Sequence, residues 1–353
     1  MRSELPAHDS DRRSSLDWPG ARRVLFIRLR SIGDTVLLTP CLSALKSWRP
    51  DIKLSVLMEP LSAPLLEGHP LVDEVITCQP GVWPRAKLVR RLRRSRFDVA
   101  FNMHGGTTAT ILAALSGSGR TIGYRGYRSS WLLTDRAPDP DAILGRAAVH
   151  SVEQQLALLN WSGVPWPEGR PRLNLAVPEA AIARVQERLQ ALRAGAGLRQ
   201  TGIAVIAPGA ALQSKTWPAA RFAAIADHLS ERWKLWPVII AGPGQDAIAD
   251  EVAAMSRTNP RVMTGLALPE LTALLGLAVL FVGNDSGPMH IAAALGRAVV
   301  AVFGSSDQSV WHPWTDAPYR VVANSGGSIK SIPEREVIAA IDAVLEAALT
   351  ARC

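Results

Sequence analysis

Cysteine is nearly missing from this 353-residue chain: only Cys41, Cys78 and Cys353 are present, far apart and with no metal-ligand spacing. That scarcity excludes a disulfide framework and gives no support to a zinc site, and it fits a reducing cytoplasm. Long apolar runs are lacking too. The longest, Leu271 to Gly283, falls short of the roughly 18 residues a spanning helix needs and is interrupted by Gly276. A secretory leader is also missing from the start, where Asp9, Asp11, Arg12, Arg13 and Asp17 leave no apolar h-region. Residues 1–21 therefore read as a disordered leader.

What the chain does have is enough apolar residue, 48%, to bury real cores, and enough length for two domains on a soft rule of about 150 residues each. Lys and Arg number 39 against 31 acidic residues, a net charge of +8 that favours anionic partners. The excess is concentrated at Arg85, Lys87, Arg90, Arg91, Arg93, Arg94 and Arg96, on a helix whose inner face is Leu88, Val89 and Leu92. Such a run is either a solvated face or a contact with phosphorylated lipid or an anionic inner-membrane surface. No aromatic residues are interleaved for base stacking, which argues against nucleic acid.

Strands and helices alternate twice. The first series is strand Val24–Arg28, helix Asp34–Trp48, strands Ile52–Met58 and Val72–Ile76, helix Pro84–Arg94, strand Asp98–Met103, helix Thr107–Leu115 and strand Thr121–Tyr124. Pro40 should kink the first helix. Ser129 to Asp141 reads as loop, Ala148 to Trp161 as helix, and the prolines from Pro165 to Pro178 as a linker. The second series follows a helix from Glu179 to Ala194. Its strands are Ile203–Ala207, Val238–Ala241, Val262–Met263, Val279–Val282 and Val299–Phe303, with helices starting near Pro218, Asp246, Pro269 and Pro288. An amphipathic helix from Pro333 to Leu349 closes the chain. Alternation of this kind predicts an α/β protein with two parallel-sheet, Rossmann-like domains facing across a cleft, spanning 22–168 and 169–332, followed by the helix in 333–353.

Two strand-to-helix turns carry the chemistry. In Ser31-Ile-Gly-Asp34, the serine and the aspartate three residues later match a capping box, and Asp34 is equally placed to act as a general base. Gly33 beside it would let a substrate approach the backbone. In Asp285-Ser286-Gly287-Pro288-Met-His290, capping explains much of the spelling, with Gly296 suited to the position after the helix end. Gly287 and His290 exceed what capping needs, and an open helix N-terminus binds diphosphate. Between the turns, Gly209 to Thr216 is a near miss to a P-loop, with Ser214 where the second glycine belongs and Lys215 placed to meet a phosphate. Gly242-Pro-Gly244 puts Gln245 and Asp246 near a ribose. Arg120, Arg125 and Arg128, with Tyr124 and Tyr127, form a basic segment suited to an acidic sugar.

In order and spacing from about residue 22 to 315, the segments Val24 to Pro40, Pro208 to Pro218 and Asn284 to Gly296 resemble the ADP-heptose:lipopolysaccharide heptosyltransferases, glycosyltransferase family 9. The resemblance implies a GT-B fold and an inverting, metal-independent transfer that needs no cofactor. It implies Asp34 as the catalytic aspartate, with a donor, ADP-heptose, held by Ser214, Lys215, Asp246, Asp285, Ser286, Gly287 and His290. Where family members carry an acidic residue after the glycine turn, Gln245 comes first here and Asp246 second. The expected partners are the nucleotide sugar and an anionic glycolipid acceptor, met by Arg120, Arg125 and Arg128 at the cytoplasmic face of the inner membrane. The alternatives are transfer from another nucleotide sugar or to another acceptor, a P-loop-like kinase, and a non-catalytic nucleotide-sugar or glycolipid binding protein.

Overall fold

A computed structural model describes residues 18–194, 202–210, 215–324 and 327–350. Its first sheet comprises β1 (Arg23–Ile27), β2 (Lys53–Met58), β3 (Glu74–Thr77), β4 (Val99–Asn102), β5 (Arg120–Tyr124) and β6 (Asp135–Ala137), in the order β3-β2-β1-β4-β5-β6. The second comprises β7 (Gly202–Ala207), β8 (Leu235–Ile240), β9 (Arg261–Met263), β10 (Ala278–Asn284), β11 (Ala298–Phe303) and β12 (Tyr319–Ala323), in the order β12-β11-β10-β7-β8-β9. Every strand pair is parallel. Parallel sheets are covered on both faces, and the strands accordingly read as unbroken apolar runs such as Val24-Leu-Phe-Ile27, all fully buried.

The helices are α1 (Ile32–Trp48), α2 (Val82–Ser95), α3 (Thr107–Leu115), α4 (Pro140–Leu144), α5 (Ser151–Trp161) and α6 (Glu179–Ala194), then α7 (Ala219–Glu231), α8 (Asp246–Met255), α9 (Leu268–Leu277), α10 (Gly287–Ala294), α11 (Gln308–Trp311) and α12 (Glu334–Thr350). On the first sheet α1 and α5 cover one face and α2 and α3 the other. The face under α1 does not end at the domain edge. One continuous apolar cluster runs from Val24, Phe26 and Leu37 through Met289, Ile291 and Ala292 of α10 to Val299 and Phe303 of β11. That shared core fixes how the two sheets face each other. Likewise α12 buries Val337, Ile341, Val344 and Leu345 against Val300 and Val302 of the second sheet.

Several sequence expectations needed adjustment. Residues 1–17 lie outside the described residues, but the expected leader overlaps the fold at its end. Trp18 is buried, its indole donating to Ser162 O at 2.7 Å and lying 5.1 Å from the ring of Trp48. The expected loop Ser129 to Asp141 contains β6 and the first turn of α4, and β12 was not anticipated at all. Both strands are sheet edges, so β6 (Asp-Arg-Ala) needs no apolar pattern to hold its place. Strand β8 starts at Leu235 and passes through Pro237, which pairs with Ala204 on one side, while β9 begins opposite Val238. The proline therefore sits where one neighbouring ladder has not started. Helix α1 continues through Pro40.

The proline-rich segment before α6 is tied to both halves. Asn174 N donates to Thr39 Oγ1 at 2.9 Å, and the Trp314 indole donates to Pro171 O at 2.6 Å. Of the cysteines, Cys41 and Cys78 are buried and unpaired; Cys353 lies outside the described residues. Among the described residues no helix is long and apolar enough to cross a membrane.

Candidate functional site

In each sheet the chain reverses its direction of growth beside the first strand, between β1 and β4 and between β7 and β10. Open α/β sheets bind ligands at such points, outside the carboxyl ends of the strands. A side chain bridges each one here. At the first, the buried Arg28 guanidinium donates through Nη1 to Met103 O after β4 and through Nη2 to Asp34 Oδ1. At the second, the fully buried Asn284 donates through Nδ2 to Pro208 O at 2.7 Å and accepts at Oδ1 from Trp217 N at 3.2 Å. Asn284 thus pins the two ends of the loop that carries Lys215.

Between them lies a cavity of about 510 Å³ lined from both halves: Ser31, Ile32, Gly33, Asp34 and Leu61 on one side, and Lys215, Gln245, Asp285, Ser286, Gly287 and His290 on the other. Asp34 makes its helix-capping bonds. Its Oδ2 accepts from Ser31 N at 3.0 Å and from Ser31 Oγ at 2.9 Å, while Oδ1 holds Arg28. The carboxylate is still one-fifth exposed to the cavity side. Opposite, Lys215 Nζ sits 2.8 Å from Asp285 Oδ2, which also accepts from Ser306 Oγ at 2.5 Å.

Ser286 is the N-cap residue of α10, Pro288 falls in its first turn, and Gly296 follows its end at φ +66°. Two buried polar atoms at this helix start, Ser286 Oγ and His290 Nδ1, have no hydrogen-bond partner among the described residues. Unsatisfied buried groups are costly and collect at functional sites. Burial pulls the His290 imidazole below its ordinary pKa, against the opposing pull of Asp285.

The two helix starts interlock. A β-carbon on Gly33 would stand 2.6 Å from His290 Cδ2, and one on Gly287 would stand 2.7 Å from Ile32 Cγ2. Gly33 therefore gives way to His290, where the sequence suggested a substrate. Since the His290 ring is buried and cannot retreat, Gly33→Ala should cost about 1 to 3 kcal/mol of stability by overpacking. A wild-type melting temperature and full turnover for that variant would show that the interlock yields easily.

Other expected residues separate. Ser214 lies outside the described residues. Asp246 is exposed on α8 and does not line the cavity; Gln245 does, donating to Ala210 O at 2.9 Å and packing over Gly209. Arg120 is a correction. It begins β5, at the sheet edge away from the cavity, and its guanidinium is held by Asp135, with Nε 2.7 Å from Oδ2. Arg125 and Arg128 are exposed on the loop that leaves the carboxyl end of β5.

Sequence reasoning missed His104. It follows β4 and lies close to Arg28, Arg30 and Asp34; burial first, then the Arg28 charge, pull its pKa below the ordinary value. It missed the apolar wall as well, made of Ile240, Leu266, Leu268, Leu271 and Trp311. Neither has a spacing signal, because His104 and the members of the wall come from separate elements and loops that meet only in three dimensions. Among the described residues no group of three or more His, Cys, Asp or Glu side chains could hold a metal ion.

Known proteins share this architecture. The Lipopolysaccharide heptosyltransferase 3 of Escherichia coli K12 is 29% identical over 321 residues, 87% of this chain and 89% of that protein. The crystal structure of the glycosyl transferase family 9 protein from Veillonella parvula superposes with a TM-score of 0.81 at 24% identity, covering 92% of this chain and 97% of that one. The E. coli ADP-heptose lps heptosyltransferase II superposes with a TM-score of 0.77, also at 24% identity, over 94% and 100%. These superpositions establish the GT-B architecture. Residues 85–335, most of the chain, match the family model for glycosyltransferase family 9 (heptosyltransferase), and the chain belongs to that family of glycosyltransferases.

Proposed function

We propose that this chain is an inverting, metal-independent heptosyltransferase that moves a heptose from ADP-heptose to an inner-core sugar of lipopolysaccharide. One observation carries the reading: a single cavity has a carboxylate, Asp34, on one wall and a lysine beside a helix N-terminus, Lys215 and α10, on the other. The names of the relatives, lipopolysaccharide heptosyltransferases 2 and 3, and of a solved structure, an E. coli heptosyltransferase with ADP, support the donor and the acceptor class.

In this mechanism the residues 22–168 present the acceptor and 169–332 the donor. Asp34 takes the proton from an acceptor hydroxyl, whose oxygen attacks the anomeric carbon from the face opposite ADP. The bond from that carbon to the β-phosphate oxygen breaks, and ADP leaves with the negative charge. Lys215 and the N–H groups opening α10 stabilise that charge, with no metal required. Ser286 Oγ and His290 Nδ1 gain a polar partner when the diphosphate sits at this end of the cavity. Asp285 accepts from donor hydroxyls, the apolar wall beside Leu268 and Trp311 takes the adenine, and Arg125 and Arg128 meet the acidic acceptor. The reading places the chain in the cytoplasm.

The deciding experiment incubates the protein with ADP- and UDP-sugars, with and without truncated core oligosaccharide and EDTA, and measures nucleoside diphosphate release. ADP release that needs both ADP-heptose and the oligosaccharide, and survives chelation, is the expected result. Loss of activity in EDTA would remove the metal-free mechanism. Binding without release would leave only a sugar-nucleotide binding protein.

A further inference from the structure

Beyond the end of β4 the chain runs His104-Gly105-Gly106 into α3, a stretch that the donor chemistry leaves unused. Strands β1 and β4 are parallel with Ile27 beside Asn102, and Met103 N donates to Ile27 O at 3.0 Å. His104 therefore emerges alongside the turn that leads from Arg28 to Asp34. Its main chain is firmly held. The fully buried Asn102 accepts at Oδ1 from His104 N and from Gly105 N, each at 3.0 Å, and donates through Nδ2 to Thr110 Oγ1 at 2.9 Å. Thr110 Oγ1 lies 3.0 Å from Arg128 O, which ties this turn to the loop carrying Arg125 and Arg128. Gly105 has φ +86°, and a β-carbon there would stand 2.8 Å from Tyr127 Cε1, while one on Gly106 would stand 3.2 Å from His104 Cδ2. The two glycines let the main chain pass close against the Tyr127 and His104 rings.

The imidazole itself is half-buried. Its charged neighbours are Arg28 at the end of β1 and Arg30 and Asp34 on the turn into α1; burial first, then Arg28, hold its pKa below the ordinary value against the pull of Asp34. Among the described residues the ring hydrogen-bonds the backbone of Arg30 and no side chain. That bond favours the protonated ring, so the ring N–H donates to the Arg30 carbonyl and the second nitrogen is left as an acceptor. Arg28, bonded at once to Asp34 and to Met103 O, keeps the base and this turn at one corner of the sheet.

A neutral nitrogen acceptor beside a carboxylate suits neither a phosphate nor a carboxylate, which would turn to the arginines. It suits a hydroxyl. We propose that His104 is an acceptor-binding residue whose open ring nitrogen accepts a hydrogen bond from the hydroxyl adjacent to the one that Asp34 deprotonates, so that the two side chains together select which position of a vicinal diol is glycosylated. This role rests on the proposed transfer reaction and adds to it a selector of position.

The test uses the full chain with a short soluble core oligosaccharide and its monodeoxy analogues. His104→Ala should raise the acceptor KM about 3- to 10-fold, the scale of one uncharged hydrogen bond, with kcat much less affected and ADP affinity near wild type. One deoxy analogue should cost the wild type the same factor and cost His104→Ala nothing more, the non-additivity expected of groups in contact. His104→Gln, whose amide oxygen still accepts, should recover most of the loss. Protonating the ring removes its acceptor atom, so on the acid side kcat/KM for the acceptor should fall through two ionisations in the wild type and through one, that of Asp34, in His104→Gln. An unchanged KM, or additive losses for every deoxy analogue, would overturn the proposal. So would a loss confined to kcat, which would make His104 a proton carrier. With no donor present, the His104 imidazole signals in NMR should shift as the oligosaccharide is added. Shifts together with no transfer would keep the sugar contact and reject the transferase reading, whereas transfer without shifts would reject the contact alone.

Discussion

Asp34→Asn should lower turnover by about 10² to 10⁴, the range lost with a general base, while ADP affinity stays near wild type. The substitution is chosen for what it preserves. An asparagine oxygen still accepts from Ser31 N, so the start of α1 keeps its cap. What disappears is the proton-accepting carboxylate and its charge against the buried Arg28. Loss of that charge should also lower the melting temperature, because an ion left without its partner is costly when buried. The two effects are separable by comparison with Arg28→Met, which removes the ion pair from the other side and keeps the base. If Asp34→Asn is less stable but turns over like wild type, the residue serves only the helix and the guanidinium.

Lys215→Ala should weaken ADP binding by about 1.5 to 3 kcal/mol, the scale of a charged hydrogen bond, or roughly 10- to 150-fold by calorimetry. In the structure Lys215 is paired with Asp285, and the lysine side chain is the more exposed of the two. A diphosphate can therefore reach the ammonium group from the cavity while Asp285 keeps the Ser306 hydroxyl. Lys215→Arg restores a cation but on a broader head, and it should recover part of the loss. An ADP affinity unchanged by Lys215→Ala would take the lysine out of the donor site and leave it a structural partner of Asp285.

Much of this site was legible in the sequence because strand-to-helix turns are local objects. Ser31 to Asp34 and Asp285 to His290 announce themselves by capping residues, glycines and the apolar runs on either side. The architecture followed from the same alternation. The parts that were not legible depend on partners far away along the chain. Arg120 resembles Arg125 and Arg128 in the sequence, yet the pairing of β5 with β6 hands it to Asp135. Gln245 displaces Asp246 from the cavity because the N-cap of α8 turns toward Gly209 and the first helical residue turns away. The short β6 carries too few residues for periodicity to register, and the edge strand β12 is interrupted by Arg320 and only partly buried, so it lacks the apolar run of an inner strand. Asn284 was visible as a letter in a motif, but its work, holding Pro208 and Trp217 together, exists only once the second sheet is formed.

The interlocked glycines impose a bookkeeping rule on the chain that neither half could supply. Gly33 opens α1 and Gly287 opens α10, in separate halves of the chain, yet each is kept small by a side chain from the other half, His290 and Ile32. In the proposed mechanism this contact holds Asp34 and the start of α10 in register across the cavity. An added methyl group at this seam would meet the facing side chain at 2.6 to 2.7 Å and force the two walls of the cavity apart. Sequence variation in this protein should therefore be tolerated at the seam only in matched pairs, with any enlargement on one side answered by a smaller residue on the other.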